Sequence, residues 1–276
     1  MVPDTPGYHC GRRIGGGPTS DVYVATDSRG QTVAVKCLKE SSSCDARSVM
    51  LIRREARAGF AVRHDHLVRL FDSHVAQKPY FLTMEYIPGE SVKKRLLETG
   101  AYSLPIALGI VRQVAEALTA LHRDGLIHGD VKPANVLLPM PGRAKLIDLG
   151  FCHSSGELQP WIEKGHVIGT ANYLAPEMAK LPPHDSTAAD MFSLGVMLYE
   201  MLTGELPYPG QSIQDVVRER RKCQPAQLPA DAGPETVARL VARMTDPNFE
   251  SRPPAHTLVA ELISLQIATL GRRAAA

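Results

Sequence analysis

The sequence lacks a long apolar run. Its longest strongly apolar stretch, around Met191–Leu202, is far short of the ~18–20 residues that a membrane span requires. The opening residues, MVPDTPGYHCG, carry no basic segment followed by an apolar one, so no signal peptide is read there. Paired cysteines are missing too. Cys10, Cys37, Cys44, Cys152 and Cys223 are odd in number and scattered, with no Cys-x-x-Cys pair. That argues against a disulfide framework or a zinc site and fits a reducing compartment. An excess of one charge is also absent: 31 Lys and Arg face 29 Asp and Glu, a net of +2. A nucleic-acid binder ordinarily shows a basic excess or stripe, and the run Arg218–Lys222 reads as a solvated helix face. There is no internal repeat and no low-complexity segment. These absences predict a soluble, cytoplasmic protein that engages neither membrane nor nucleic acid. What is present is ordinary for a globular chain: 276 residues, 44% hydrophobic and 22% charged. The length corresponds to about 1.8 domain equivalents, one large domain or one two-lobed unit.

Pattern divides the chain near Pro88-Gly89. Before it, Val22–Ala25 and Thr32–Leu38 flank a Gly30 turn and read as a hairpin. Asp45–Val62, free of proline and rich in Arg, Ala and Glu, reads as a helix, and Val68–Phe71 and Tyr80–Glu85 as two further strands. After it, Pro105–Arg123 places Ile106, Ile110, Val114, Leu118 and Leu121 three or four apart, the spacing of an amphipathic helix. Ala188–Leu202 reads as a buried helix, and Ser212–Lys222, Pro234–Met244 and Pro254–Ala268 as three more. A small antiparallel β-sheet lobe joined to a larger helical lobe predicts an α+β molecule with a ligand cleft between the lobes.

Several short segments can carry chemistry. Gly15-Gly16-Gly17 leads into the first strand, where glycines let backbone N–H groups approach phosphate oxygens; a Gly-rich hairpin turn has the same composition. Lys36 shares a strand face with Ala34. It reads either as a solvated strand residue or as a phosphate neutraliser held by Glu55 of the following helix, itself otherwise a surface charge. His128-Gly129-Asp130-Val131-Lys132-Pro133-Ala134-Asn135 is the most informative segment, followed by the strand Val136–Leu138, then Lys145–Ile147 and Asp148-Leu149-Gly150. Asn135 and Asp148 flank a hairpin and can converge on a hard divalent cation. Asp130 can reach a substrate hydroxyl, and Lys132 can stabilise charge on a moving phosphoryl group. A plain polar turn does not account for these oxygen-bearing side chains at this spacing.

With these residues in view the chain resembles a eukaryotic-like bacterial serine/threonine protein kinase, in ordered motifs from about Tyr8 to Leu265. Gly15-x-Gly17-x-x-Ser20-x-Val22 resembles the glycine-rich loop, with Ser20 in place of its third glycine. Val33-Ala34-Val35-Lys36, His128-Gly129-Asp130, Asp148-Leu149-Gly150 and Gly169–Glu177 resemble the lysine strand, the catalytic loop, the metal triplet and the substrate-docking segment. Asp190 and Arg252 are similar to two buried anchors of the family, Arg252 pairing with Glu177. The resemblance implies the bilobal kinase fold, residues 8–268, with an N-lobe at 8–88, a C-lobe at 89–268 and a tail at 269–276. It covers nearly the whole chain from Tyr8, so neither the membrane span nor the sensor domain of many bacterial members is expected within it.

The resemblance also implies roles. ATP and Mg²⁺, or Mn²⁺, are the expected cofactors, proteins the expected substrates, and self-association the expected route to autophosphorylation. Lys36, held by Glu55, is expected to bind the ATP phosphates, and Asn135 and Asp148 the metal. Asp130 is expected to accept the hydroxyl proton, supported by Lys132 and Thr170, the pair that favours Ser/Thr over Tyr. Ile14, Gly15, Gly16, Gly17 and Val22 are expected to cover the nucleotide. Met84 is the gatekeeper, Glu85 and Tyr86 offer backbone groups to adenine, and Ala34 and Leu137 sandwich the base.

Departures from the family pattern carry information. Gly129 replaces the arginine that pairs with a phosphorylated loop, and no Ser, Thr or Tyr lies between Gly156 and Gly169. Activity without phosphate in that region is expected, with Ser154, Ser155 and Thr170 as the remaining acceptors. Gly59 stands where a bulky apolar residue is usual, so its helix is expected to be loosely held unless Phe60 or a partner compensates. Ala134, often acidic in kinases that select basic peptides, weakens an expectation of arginine preference. Cys152 is expected to be an inert thiol, and His64-Asp65-His66 a turn and not a metal site. Two other classes share part of the pattern. A small-molecule kinase of the aminoglycoside type also has a His-Gly-Asp loop but lacks Lys132-Pro133 and the Gly169–Glu177 segment; a pseudokinase scaffold would have lost one or more of the five residues that hold nucleotide, metal and hydroxyl.

Overall fold

The computed structural model describes residues 5–157, 169–179, 184–208, 214–215, 218 and 224–274. Five antiparallel strands, β1 (Tyr8–Gly16), β2 (Ser20–Asp27), β3 (Thr32–Leu38), β4 (Leu70–His74) and β5 (Phe81–Glu85), form one sheet in the order β1-β2-β3-β5-β4. The expected hairpin is β2–β3. Asp27 Oδ1 accepts from Arg29 and Gln31 N–H, and Gly30 takes the positive φ of 79° that the turn needs. Alternation along β3 sends Val33, Val35 and Cys37 to one face with Ala25 and Phe81. Ala34 goes to the other, where it packs with Ile52, Ala56, Leu70, Leu82 and Met84. That second face carries α1 (Ala46–Ala61), whose ends match the expected helix. Asp45 is its N-cap, accepting from Ser48 N at 3.0 Å and Arg47 N at 3.3 Å.

β4 begins later than the expected Val68–Phe71. Leu67 bridges to Leu146 and Val68 N donates to Leu146 O at 2.9 Å, so the backbone at 67–68 pairs with the C-lobe, although the Val68 side chain packs in the N-lobe cluster. At the lobe boundary Gly89 is forced. Its φ is 139°, and a Cβ there would lie 2.1 Å from Leu138 O.

The C-lobe contains β6 (Glu90–Ser91), α2 (Val92–Thr99), α3 (Leu104–Arg123), β7 (Leu126–Ile127), β8 (Val136–Leu138), β9 (Lys145–Leu146), β10 (His153–Ser154), α4 (Thr187–Thr203), α5 (Glu235–Met244) and α6 (Ala255–Ala274). β6, β8 and β9 pair as one small sheet, and β7 with β10 as another. α3 is 20 residues long, and its apolar stretch has a mean hydropathy of 1.4, enough by length and composition to cross a membrane. It is the expected amphipathic helix Pro105–Arg123, longer as an apolar stretch than Met191–Leu202. In the structure α3 is the centre of the C-lobe core, with Leu108, Val111, Ala115, Leu118 and Leu121 fully buried and α4 and α6 packed against it. α6 runs to Ala274, so the expected tail from residue 269 is a continuation of that helix. The expected helix Ser212–Lys222 falls largely outside the described residues.

Candidate active site

Lys36 and Glu55 come from different elements and meet because β3 presents Lys36 on the face that α1 covers. Lys36 Nζ donates to Glu55 Oε2 at 2.6 Å and to Asp148 Oδ1 at 2.9 Å, so one ammonium spans sheet, helix and C-lobe. The charges here are strongly coupled. Burial opposes the Lys36 charge, but Asp148 and Glu55 outweigh it and raise the ammonium above its ordinary value. Burial also dominates at Glu55 and pushes its carboxyl up to about 7, with Lys36 pulling against the shift. Asp148 goes the other way. Burial would raise it, but Lys36 prevails and holds it at about 2. Asp148 has φ 65°, a left-handed conformation rare outside glycine. Gly150 beside it leaves room for both carboxylates: a Cβ there would stand 3.3 Å from Asp148 Oδ1 and 3.7 Å from Glu55 Oε2.

Asp130 lies across the cleft floor in a loop ended by one 3-10 turn, Pro133–Asn135. Its two oxygens have different partners. Oδ2 accepts from Lys132 Nζ at 2.6 Å and Asn135 Nδ2 at 3.0 Å, and Oδ1 accepts from Thr170 Oγ1 at 2.7 Å. Lys132 Nζ also donates to Thr170 Oγ1 at 2.6 Å, which closes a ring of three side chains. Asn135 Nδ2 donates to Asp130 O as well, at 2.9 Å, so its donors face Asp130 and its Oδ1 is left as the ligand atom. A charged Asp148, two residues after β9, and the Asn135 oxygen, one residue before β8, are hard donors at the ends of paired strands and fit a divalent cation completed by phosphates and water. Among the described residues no group of three or more His, Cys, Asp or Glu could hold a metal. His66 instead places Nδ1 2.9 Å from Ala144 O and Nε2 3.3 Å from Glu116.

The catalytic loop is fastened from below by Asp190 of α4, which accepts from His128 N at 2.8 Å and Gly129 N at 2.9 Å and sits 2.9 Å from His122 Nε2. Burial would raise this carboxyl, but the histidines and the Gly129 N–H hold it low. Gly129 has φ 76°, and a Cβ would meet Phe151 O at 2.9 Å; Gly169 passes so close that its Cβ would lie 2.5 Å from Gly129 O. Arg252 grips Glu177 in a two-pronged pair at 2.6 and 2.8 Å, as expected. Cys152 is fully buried, and burial pushes its thiol up to about 12.

The remaining expected residues lie mostly in the N-lobe, with Leu137 in the C-lobe. Ala34, Met84, Val22 and Tyr86 share one apolar cluster, and Ile147, missed in the sequence, joins it one residue before Asp148. Leu137 lies partly buried on β8. Gly15 and Gly16 end β1, and Gly17 N donates to Ser20 O at 2.8 Å, closing the turn. Gly16 is forced, since a Cβ at its φ of 150° would lie 2.5 Å from Asp21 Oδ1. Ile14 is exposed. Glu85 is tied through both its N–H and its side chain. Its N–H donates to Arg69 O at 2.9 Å, and its side chain accepts from Arg69 N and Lys145 Nζ. That backbone donor is therefore committed to the sheet edge.

Comparison with known proteins agrees with this geometry. Residues 8–262 match the protein kinase domain family, and the chain belongs to that family. It is 36% identical over 231 residues to the serine/threonine-protein kinase drp72 of Corynebacterium efficiens, covering 81% of this chain and 44% of that protein. It is 36% identical over 234 residues to serine/threonine-protein kinase PknA of Mycobacterium tuberculosis, covering 82% and 54%. With PknB of Mycolicibacterium smegmatis it shares 32% over 256 residues, covering 88% and 41%. The chain thus spans about half the length of the curated relatives it matches. Membership implies ATP and a divalent metal.

Proposed function

We propose that this protein is an ATP-dependent serine/threonine kinase that transfers the γ-phosphoryl group of ATP to hydroxyls of protein substrates. The observation that carries the reading is the Asp130–Lys132–Thr170 ring joined to Asn135 and facing the Lys36–Glu55–Asp148 set. Lys36 binds the α- and β-phosphates, and Glu55 fixes its direction. Asp130 orients the acceptor hydroxyl and takes its proton, and Lys132 stabilises charge on the transferring group. Asn135 and Asp148 hold Mg²⁺, or Mn²⁺, which neutralises phosphate charge. Ile14, Gly15, Gly16, Gly17, Val22, Ala34, Met84, Glu85, Tyr86 and Leu137 enclose the nucleotide. Incubation with labelled Mg·ATP, a generic protein and an aminoglycoside tests the reading. Label is expected in the protein; label in the aminoglycoside alone would make the chain a small-molecule kinase, and nucleotide binding without any transfer a pseudokinase.

A cytoplasmic site of action is part of the proposal, supported by the exposed free thiol of Cys44. So is the absence of membrane and nucleic-acid partners, given that the apolar face of α3 is engaged in the core. Autophosphorylation would require transient self-association. Activity is expected to need no phosphate between Gly156 and Gly169, where no acceptor exists. Phosphatase-treated and untreated enzyme, with intact mass as control, should turn over alike; a loss that tracks removal of loop phosphate contradicts this.

A further inference from the structure

The segment leaving the metal triplet is anchored at two points outside the reacting groups. On one side, Ser155 Oγ donates to Asp185 O at 2.9 Å, and Gly156 N to the Asp185 carboxylate at 3.0 Å. Buried His153 stands 3.4 Å from the same carboxylate. On the other side, Glu157 lies between two arginines of α1. Arg54 Nε donates to its Oε1 at 3.0 Å, and Arg57 Nη2 to its Oε2 at 2.6 Å. The Oε2 atom also accepts from Ser154 N at 3.1 Å, which ties the carboxylate back to β10. Burial alone would raise the Glu157 carboxyl, but Arg57, the Ser154 N–H and Arg54 hold it below its ordinary value.

Two further observations give this contact weight. Arg54 is 7% exposed, so its guanidinium is a buried charge that needs an opposing carboxylate. It is also the residue next to Glu55, so whatever holds Arg54 holds the backbone that aims Glu55. At its C-terminal end α1 packs through buried Ala58 and through Leu70, which closes on Gly59, while Phe60 is exposed. The Glu157 cross-link from the C-lobe loop reaches the middle of α1 and joins the bonds of Arg53 to Val75 O and Ala76 O and of Glu55 to Lys36 as a polar restraint on the helix.

We propose that Glu157 is a positioning residue for phosphoryl transfer: its carboxylate grips Arg54 and Arg57 and holds α1 where Glu55 meets Lys36. A fixed carboxylate here supplies a negative charge without any modification, at the start of a stretch, residues 157–168, that offers no hydroxyl. The inference rests on the kinase reading above.

The test is a double-mutant cycle in the full chain, with Glu157→Gln, Arg57→Gln and both together. Arg57 is half exposed, so its variant folds even if Glu157→Gln disturbs Arg54. Each single change should lower kcat and raise KM for ATP, at least about fivefold in kcat/KM, with KM for the protein acceptor unchanged. The double variant should be no worse than the poorer single one, because both remove the same contact. Hydrogen exchange of residues 46–61 should quicken in Glu157→Gln while α3 and α4 keep wild-type protection. Wild-type kinetics in both single variants, losses that multiply in the double, or unchanged exchange in α1 would each overturn the proposal. If the wild-type chain transfers no phosphate at all, the kinase reading fails, and the exchange experiment still decides whether Glu157 holds α1.

Discussion

Glu55 carries a conflict that the site needs. Its carboxylate must be charged to hold Lys36, yet burial pushes its carboxyl up to about 7. A carboxyl raised above its unfolded value binds its proton more tightly in the folded state. Its contribution to stability is therefore greatest at low pH and is lost as pH rises through about 7. Glu55→Gln should melt at or above the wild-type temperature at pH 8, and the two proteins should converge at pH 6, while Glu55→Gln loses more than about tenfold in kcat/KM at both. A lower melting temperature at pH 8 than at pH 6, relative to wild type, would contradict this. At this scale the sequence was most legible. Asp130, Lys132, Asn135 and Asp148 sit at local spacings that announce their chemistry. Lys36, Glu55 and Thr170 became legible only through the family resemblance, since a strand lysine and a helix glutamate read equally as surface charges. Asp185 and Glu157 were not, since each acts through contacts far along the chain. Ile147 looks like any core residue until the sheet brings Ala34 and Met84 beside it.

The elements α1 and β4 show how a missing side chain is made good by a neighbour. Gly59 suggested a loosely held helix with Phe60 as compensation. Phe60 is in fact exposed, and Leu70 fills the space, its Cδ1 only 2.6 Å from where a Cβ on residue 59 would stand. Gly59→Ala therefore sets two effects against each other. Helix propensity favours alanine by up to ~1 kcal/mol, while forcing Leu70 aside in a packed core costs about 1–3 kcal/mol. The steric term is larger, so Gly59→Ala should lower stability in urea unfolding. In a Leu70→Ala background the same change should raise it; a loss of equal size in both backgrounds would rule out the clash. α3 was readable from its apolar periodicity, α1 from its proline-free Arg-, Ala- and Glu-rich composition and α4 from its apolar run, each to within a few residues. β1 was not, because HCGRRIGG lies at a solvent edge and shows no apolar alternation. α2 was not either, being short and defined by the Ser91 cap on Lys94 N. β4 was misplaced because the contact of Leu67 with Leu146 is long-range and leaves no local trace.

For the whole molecule, the division at Pro88-Gly89 turned about 1.8 domain equivalents into one unit of two lobes, with the reacting groups split between them. The C-lobe side depends on buried charge. Arg252 and Glu177 are 5% and 1% exposed, and Arg252 also donates to Asp246 O and Ala188 O. Arg252→Ala leaves Glu177 charged and unpaired, so it should cost about 3–5 kcal/mol in urea unfolding; a cost under ~1 kcal/mol would mean the pair contributes little. The cross-lobe contacts of Lys36 and Glu157 make the opposite demand, since they affect turnover more than stability. The most direct measurement of the central claim is intact mass of the purified chain after incubation with Mg·ATP, beside Asp130→Asn. The account predicts phosphate-sized mass increments in the wild-type chain and at least about tenfold slower gain in Asp130→Asn, about 1.4 kcal/mol in barrier. Equal increments in both would show that Asp130 does not carry the transfer.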